Sequence, residues 1–280
     1  MSLTGVVQLF VGKPVHPVGA DGRMALSDHL RELRARILKC AFAIAIAFVV
    51  ALFFFDQIFD VINDPYQQAR EELGAERTMA TTSGVAGGFI LYLKLCSLAA
   101  IVGTSPIWLY QIWAFILPGL HSNEKKWSAI FAVIAGPLFL GGIALGYLTL
   151  PKGLELLIGF TQSDLTNLVE FNDYLTFFTR TLLAFGIAFE IPVFVVMLNL
   201  AGVVSGKALG AYRPWIIVGT FVFAAVATPS GDPFTMSFMA IPMVVLFGIS
   251  EVIARLNDRR RSDKGPNAGL SPDELSEIDP

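Results

Sequence analysis

Six long apolar stretches constrain the fold of this chain more than any other feature. A helix that crosses a membrane needs about 20 mostly apolar residues to span a hydrocarbon core of about 30 Å. Hydrophobic residues make up 54% of the 280 residues and charged residues only 15%, whereas soluble domains carry about 25%. The sequence therefore predicts an all-α integral membrane protein, a bundle of six transmembrane helices. The predicted spans are Ile37–Ile58, Gly88–Thr104, Trp127–Leu150, Tyr174–Leu200, Pro214–Ala227 and Phe234–Ile253.

Two of the six predicted spans are short. Pro214–Ala227 holds 14 residues, which reach about 21 Å as an α-helix. Phe234–Ile253 is also short if the span ends before Glu251, because a charged residue is costly in the hydrocarbon core. We expect the bilayer to thin around these spans, or a partner helix to cover them, since a mismatch between helix and bilayer has to be relieved.

The distribution of Lys and Arg predicts the orientation of the chain. An even number of spans places both termini on the same side of the membrane. Of the 20 Lys and Arg residues, 15 lie on that side, three lie on the other side and two lie within spans. Loops rich in Lys and Arg stay in the cytoplasm, so both termini are predicted to be cytoplasmic. The segment Pro106–Leu120, rich in Trp, Tyr and Phe, is then predicted to lie at the cytoplasmic membrane interface.

The two ends of the chain differ in composition from the apolar centre. We expect residues 1–23 to be a disordered extension, residues 24–254 to be the six-helix membrane domain, and residues 255–280 to be a disordered cytoplasmic tail. The tail is first basic and then acidic, a composition typical of disorder. Cys40 and Cys96 fall in apolar runs and no two histidines share a helical face, so neither a metal site nor another cofactor is predicted.

The segment before the first span has the pattern of an amphipathic helix. Its apolar residues recur at i, i+4, i+7 and i+11 and form one stripe, expected to lie on the membrane surface or on a neighbouring helix. Glu32 then lies on a wetter face. The simplest role for Glu32 is a pair with Arg36 at i, i+4. The residues of the stripe are Leu26, Leu30, Leu33 and Ile37.

A second acidic residue follows the aromatic segment. Ser122 or Asn123 can cap the third predicted span, which places Glu124 in the first turn of that helix. Considered alone, a carboxylate at this position complements the helix dipole.

Glu190 is the acidic residue that is hardest to explain as structural. It lies ten residues before Leu200, about 15 Å into the membrane at 1.5 Å per residue. An acidic residue near the bilayer centre costs about 2.5–3.5 kcal/mol, so we expect Glu190 to face a cavity or a polar partner and to be protonated or paired. The alternatives are a buried structural hydrogen bond or a pair with Arg180, ten residues away on the same helix.

Two shorter motifs have structural interpretations. Asp232 lies in TPSGDP, and Pro, Ser, Gly and Asp are ordinary turn formers. Gly142 and Gly146 have the small-xxx-small spacing that lets two helices approach closely.

Four sequence blocks occur in the order and with the spacing typical of one family. They are HLRELRAR at 29–36, PIWLYQIWAFILPGL at 106–120 followed by Glu124, AFGIAFEIPVF at 184–194 and FVFAAVATPSGDPF at 221–234. On these blocks, which lie within residues 26–255, the chain resembles TatC, the receptor subunit of the twin-arginine protein export system. One position departs from the family pattern, because Met236 stands where some members carry Gln.

The resemblance implies a cupped bundle with a concave, lipid-filled face in the plasma membrane of a prokaryote. Such a protein recognises signal peptides with paired arginines and nucleates a complex that exports folded proteins, powered by the proton-motive force. The resemblance places Glu32, Glu124, Phe115 and Arg34 in the signal-peptide site. Two guanidinium groups need two carboxylates, and Arg forms bidentate hydrogen bonds that Lys cannot copy. Phe115 also fits a role as an interfacial anchor.

The resemblance also implies partners within the membrane. These are TatA- and TatB-type single-span proteins in a hetero-oligomer, with no nucleic acid involved. Glu190 and Asp232 are the intramembrane polar positions expected to contact a partner, Glu190 because of the cost of a carboxylate in the membrane and Asp232 because of the resemblance.

Two other function classes remain open on the residues alone. A secondary transporter would use Glu190 as a proton-coupling group and would carry inverted repeats, which the sequence lacks. An intramembrane protease would need a Ser–His or Asp–Asp pair within the spans, and no such pair occurs. Walker, nucleophile-elbow and HExxH motifs are also missing, so the sequence does not predict an enzyme.

Overall fold

The computed structural model of the chain describes residues 26–74, 78–116, 124–162, 165–228 and 232–262. The side chains of residues 26, 28, 124–129, 132, 261 and 262 lie outside that description. The predicted N-terminal extension, residues 1–23, falls wholly outside it. The predicted C-terminal tail falls outside it from residue 263 onward.

Helices dominate the described residues, and two short strands accompany them. In chain order the elements are α1 (Leu26–Phe53), α2 (Phe55–Leu73), β1 (Thr78–Thr81), α3 (Gly87–Gly103), α4 (Ser105–Ile116), α5 (Glu124–Gly159), β2 (Asn167–Glu170), α6 (Phe171–Leu200), α7 (Gly206–Ala211), α8 (Arg213–Ala227) and α9 (Pro233–Ser262).

Within the described residues, four helices are long and apolar enough to cross a membrane. A fifth candidate span results if α3 and α4, which meet at an angle of 56°, form one broken span. The chain is therefore a helical membrane protein with four or five candidate spans. The apolar helix α8 is shorter, as the sequence predicts. The four long spans are His29–Phe53, Val133–Gly159, Phe171–Leu200 and Pro233–Arg260.

Several helix boundaries differ from the sequence prediction. The first long helix ends at Phe53, before the predicted end of the first span at Ile58, and α2 starts in a new direction at Phe55. The last helix, α9, continues through Glu251 to Ser262, so it is not short. Residues 255–262, predicted to belong to a disordered tail, are helical. An i, i+4 pair between Glu251 and Arg255 supports the helix at this point.

The two strands, which the all-α prediction did not include, tie two loops together. They pair in parallel with Thr78 opposite Asn167 and Thr81 opposite Glu170. The hydroxyl groups of Tyr66 and the fully buried Thr78 lie 3.1 Å apart. This pairing joins the α2–α3 connection to the α5–α6 connection at one end of the bundle.

The most extensive helix contact joins α5 and α6. Gly142 and Gly146 of α5 face Phe185 of α6, as the glycine spacing predicts. A Cβ atom at Gly142 would lie 2.5 Å from the carbonyl oxygen of Phe185. On the other helix, Gly186 lies so close to the ring of Phe139 that a Cβ atom there would be 2.6 Å from it. The two helices therefore touch through backbone, which only glycine permits.

The close contact at Gly142 gives a matched pair of variants. Gly142→Ala should destabilise the protein by about 1–3 kcal/mol, because a Cβ atom there forces α5 and α6 apart. The neighbouring Gly141→Ala should leave stability unchanged or raise it slightly, because a Cβ atom there meets nothing within 4 Å and alanine favours the helix. The thermal unfolding midpoint of both variants in detergent measures this. Equal midpoints would contradict the proposed contact.

Candidate functional site

Three residues lie on one face of α1, and two of them, His29 and Arg36, contact the aromatic helix α4. His29, Glu32 and Arg36 follow one another at i, i+3 and i+7, so they share a face. Arg36 Nε donates to Glu32 Oε1 at 3.0 Å, and Arg36 Nη2 contacts the same oxygen. Arg36 Nη1 also donates to Gln111 Oε1 of α4 at 3.3 Å. The predicted i, i+4 pair is therefore confirmed, and it is extended across two helices.

Ring stacking makes a second contact on the same face. The His29 and Phe115 rings are stacked, with centroids 4.5 Å apart and an interplanar angle of 19°. Phe115 thus lies against α1, one turn from Glu32. The structure brings together two of the residues that the resemblance assigns to the signal-peptide site.

The carboxylate of Glu32 retains capacity for a further donor. Both contacts with Arg36 go to Oε1, and among the described residues no donor is bonded to Oε2. The Glu32 side chain is 17% exposed. A carboxylate oxygen held in place by one guanidinium can accept a charge-assisted hydrogen bond from another.

The structure does not place Arg34 or Glu124, the other two residues assigned to the signal-peptide site, in contact with this face. Arg34 is exposed and lies two positions from Glu32, so it points to a different side of α1. Glu124 is the first residue of α5, as the capping pattern predicts, but its side chain lies outside the described residues. Leu30 and Ile37 of the apolar stripe are exposed and Leu33 is half-buried, so the two exposed residues do not pack against the described part of the chain.

Glu190 lies in a cavity of about 300 Å³ between α4, α5 and α6. The wall is aromatic and aliphatic, and its side chains include Trp108, Trp113 and Phe139. The aromatic segment that carries the two tryptophans was predicted to be interfacial, yet Leu109 and Trp113 are buried. They are buried because α4 turns away from α3 and packs against α5.

The polar atoms in this cavity are incompletely satisfied by the described residues. Both carboxyl oxygens of Glu190 and Nε1 of Trp113 are buried without a hydrogen bond of normal geometry, although the Trp113 side chain is close enough to interact with the Glu190 carboxyl group. Buried polar groups are usually hydrogen-bonded, and leaving one unsatisfied costs about 1–3 kcal/mol. The cavity therefore presents an acid and an indole N–H that an additional polar group can satisfy.

Of the two structural alternatives for Glu190, the ion pair with Arg180 is not observed in the described residues, and the Trp113 side chain is the group that could make a buried hydrogen bond. No ion pair joins Glu190 to Arg180 among the salt bridges of that part of the chain. Arg180 is exposed and lines a separate groove with Lys94, the cation within the second predicted span.

Asp232 has the structural role that its sequence context indicates. Its Oδ1 accepts from the backbone N–H of Thr235 at 2.7 Å, which caps the start of α9. The hydroxyl of Ser250 donates to the carbonyl of Pro192, so Glu190 is level with that part of α9. Asp232 lies 18 residues before Ser250, about 27 Å along the helix. The structure therefore does not bring Glu190 and Asp232 together.

Sequence reasoning missed Gln111, His29 and Trp113 as members of these two sites. Gln111 and His29 gave no signal, because their contacts join residues about 75 or more positions apart. Trp113 gave only the general signal of an aromatic-rich segment. Among the described residues, no group of three His, Cys, Asp or Glu could hold a metal ion.

The chain is similar to known proteins over most of its length. The family model "Sec-independent protein translocase protein (TatC)" matches residues 28–242. A TatC protein of Frankia casuarinae is 44% identical over 269 residues, covering 92% of this chain and 74% of that protein. A TatC protein of Corynebacterium kroppenstedtii is 36% identical over 283 residues, covering 92% of this chain and 68% of that protein.

A solved structure agrees with these matches. The crystal structure of the twin-arginine translocase receptor TatC in the detergent DDM is 32% identical in sequence, with a TM-score of 0.68. The match covers 81% of this chain and 99% of that one. The chain therefore belongs to the TatC family and serves as the receptor component of Sec-independent, twin-arginine protein translocation, not as an enzyme.

Proposed function

We propose that twin-arginine signal peptides dock on the face formed by α1 and α4, with Glu32 and Glu124 as the two carboxylates that receive the paired arginines. The observation that carries this proposal is the Arg36–Glu32 contact, which leaves Glu32 Oε2 open to a second guanidinium. The stacked His29 and Phe115 rings lie one turn away and offer an apolar surface for the rest of the peptide. Arg34 lies on a different side of α1 from Glu32, so it does not take part in the contact between Glu32 and the peptide arginine.

Arg36 has a positioning role in this proposal. It holds Oε1 of Glu32 and bonds Gln111, so the carboxylate is oriented before the peptide arrives. A peptide arginine then adds two planar N–H groups, which a lysine cannot supply with the same geometry.

Removing either carboxylate tests the docking site. Glu32→Ala and Glu124→Ala should each weaken binding of a twin-arginine peptide, because each loses a hydrogen bond to a charged group that contributes about 1.5 kcal/mol or less at a partly exposed site. That corresponds to up to about tenfold in Kd. Glu124→Arg should be worse than Glu124→Ala because it adds repulsion. Titration with a labelled peptide measures this.

Two comparisons make the peptide test specific. Glu71→Ala removes an exposed acid of α2 and should bind the peptide like the parent. A peptide with paired lysines should bind the parent weakly and should be affected little by Glu32→Ala. If both alanine variants bind the twin-arginine peptide like the parent, the proposal is wrong. Glu32 then only pairs with Arg36, and Glu124 only stabilises the start of α5.

We also propose six membrane crossings with both termini in the cytoplasm, made by α1, α3, α5, α6, α8 and α9. The bias of Lys and Arg toward one side supports this orientation. The strand pairing supports it too, since it puts the α2–α3 and α5–α6 connections at the same end. That end would face the periplasm.

Reporter fusions test the orientation. A reporter joined after Gly74 should be active in the periplasm, and one joined after Gly265 should be active in the cytoplasm, because cytoplasmic loops hold the excess of Lys and Arg. Alkaline phosphatase and fluorescent-protein fusions report the two sides. A cytoplasmic signal at Gly74 would overturn the six-crossing arrangement.

The cavity around Glu190 suits a polar contact with a partner's single span. The partners proposed are TatA- and TatB-type proteins, assembled with this chain in a hetero-oligomer of the plasma membrane. A neutral Glu190 can donate one hydrogen bond and accept others, and Trp113 Nε1 adds a second donor in the same cavity. A polar side chain on a partner helix that enters the cavity would satisfy both.

Two substitutions separate this polar contact from proton coupling. Glu190→Gln keeps the shape and hydrogen-bonding capacity of the neutral acid, so it should retain substantial export and partner crosslinking. Glu190→Ala removes both and should lose much of each. Export of a twin-arginine reporter and crosslinking to the partner's span are the two measurements. If Gln loses export as fully as Ala while crosslinking persists, titration of Glu190 is the better explanation, as in a transporter.

A further inference from the structure

A second cavity, of about 520 Å³, lies between α7 and the facing parts of α8 and α9. Its rim carries Arg213, the first residue of α8, together with Glu251 and Arg255, one turn apart on α9. Away from the rim the wall is apolar. The apolar wall is made by Leu209, Ile216, Ile217, Val244, Phe247 and Val252.

The three charged residues of the rim are held together by hydrogen bonds. Glu251 is only 7% exposed and accepts two hydrogen bonds from Arg213, from Nε at 3.0 Å and from Nη2 at 2.8 Å. Arg255 Nε adds a third bond at 2.8 Å. The two arginine side chains are themselves 62% and 51% exposed. Glu251 therefore fixes two exposed guanidinium groups side by side.

The cluster carries one net positive charge and unused donors. A guanidinium has five N–H groups, and Glu251 occupies Nε and Nη2 of each arginine. Among the described residues, no acceptor is bonded to Nη1 of Arg213 or of Arg255. Two adjacent guanidinium groups with free N–H donors match the oxygens of a phosphate group.

The cavity changes from charged to apolar along the helices. Ile216 and Ile217 lie one turn inside α8 from Arg213, and Val244 and Phe247 lie one to two turns along α9 from Glu251. In the proposed six-crossing arrangement, on which this inference rests, Arg213 begins the apolar helix α8, so its guanidinium would lie where the membrane meets water. The apolar wall then lies at the depth of the acyl chains. Basic pockets between membrane helices bind anionic headgroups in this way.

We propose that this cavity binds one anionic glycerophospholipid, with its phosphate between Arg213 and Arg255 and one acyl chain against the apolar wall. Charge complementarity identifies the ligand as anionic. A lipid with one negative charge neutralises the single positive charge of the cluster, whereas a zwitterionic lipid brings an ammonium group toward the two arginines. The site shares no residue with the α1–α4 face or with the cavity around Glu190.

Gly248 permits a test of the acyl-chain part that spares the charged rim. Gly248 lines the cavity, and a Cβ atom there meets nothing within 4 Å. Gly248→Leu therefore adds a side chain to the groove at a position where the first added carbon is unobstructed. Gly219→Leu is the matched control, because a Cβ atom at Gly219 is also unobstructed and Gly219 does not line the cavity.

The binding experiment uses the full chain in nanodiscs or micelles, with phosphatidylglycerol and phosphatidylcholine of identical acyl chains as probes. The parent should prefer phosphatidylglycerol by about tenfold or more. Arg213→Gln, Arg255→Gln and Gly248→Leu should each lower its affinity about tenfold. Gly219→Leu and Arg260→Gln, which removes an exposed charge of α9 outside the cavity, should bind like the parent. Native mass spectrometry counts the bound lipid.

Two further variants keep the test decisive if an arginine variant folds poorly. Glu251→Gln leaves both arginines and raises the net charge of the rim, so it should retain phosphatidylglycerol. The triple variant with Arg213→Gln, Arg255→Gln and Glu251→Gln has neither a charge on the rim nor a buried unpaired acid, and it should lose the preference. Equal binding of the two lipids by the parent would overturn the proposal. Full displacement by inorganic phosphate, with Gly248→Leu binding normally, would also overturn it in favour of a free anion.

Discussion

The backbone contact between α5 and α6 determines the rest of the structure. Helices in a bilayer gain little from leaving lipid, so they associate through close packing at small residues. Gly142 of α5 meets Phe185 of α6, and Gly186 of α6 meets Phe139 of α5. Each helix thus presents a glycine to a phenylalanine of the other. Because this exchange involves backbone atoms, the two helices have little freedom to slide or rotate against each other.

The same contact positions both parts of the candidate functional site. Phe139 meets Trp108 of α4 edge-on, with ring centroids 5.0 Å apart, and both rings line the cavity around Glu190. Gln111 and Phe115, which contact α1, lie on the adjoining face of α4, because Phe115 follows Trp108 at i+7. The face proposed for the signal peptide and the cavity proposed for a partner therefore adjoin on one helix. A shift of α4 would alter both at once.

Sequence patterns predicted the features that depend on neighbouring residues or on composition. The helices follow from the apolar runs, and the Glu32–Arg36 pair follows from the spacing of one helical turn. Contacts between distant residues leave no such pattern. Arg213 and Glu251 are 38 positions apart, so their ion pair could not be predicted, whereas the Glu251–Arg255 pair has the same i, i+4 spacing as Glu32–Arg36. The turn of α4 that buries Trp113 was missed for the same reason, and the four-residue strands are too short for alternation to identify.

Glu190 of α6 and Glu251 of α9 differ in their hydrogen-bond partners, and this difference distinguishes their roles. Glu251 has its hydrogen-bonding capacity filled by two arginines, so only the unused N–H groups of those arginines can bind a further molecule. Glu190 has buried oxygens without a hydrogen bond of normal geometry in the described chain, which costs the free subunit about 1–3 kcal/mol. In the proposed complex, a partner that supplies a hydrogen bond to Glu190 would remove that cost on assembly. Glu251, in contrast, is already paired within the subunit, where it orients the charged rim.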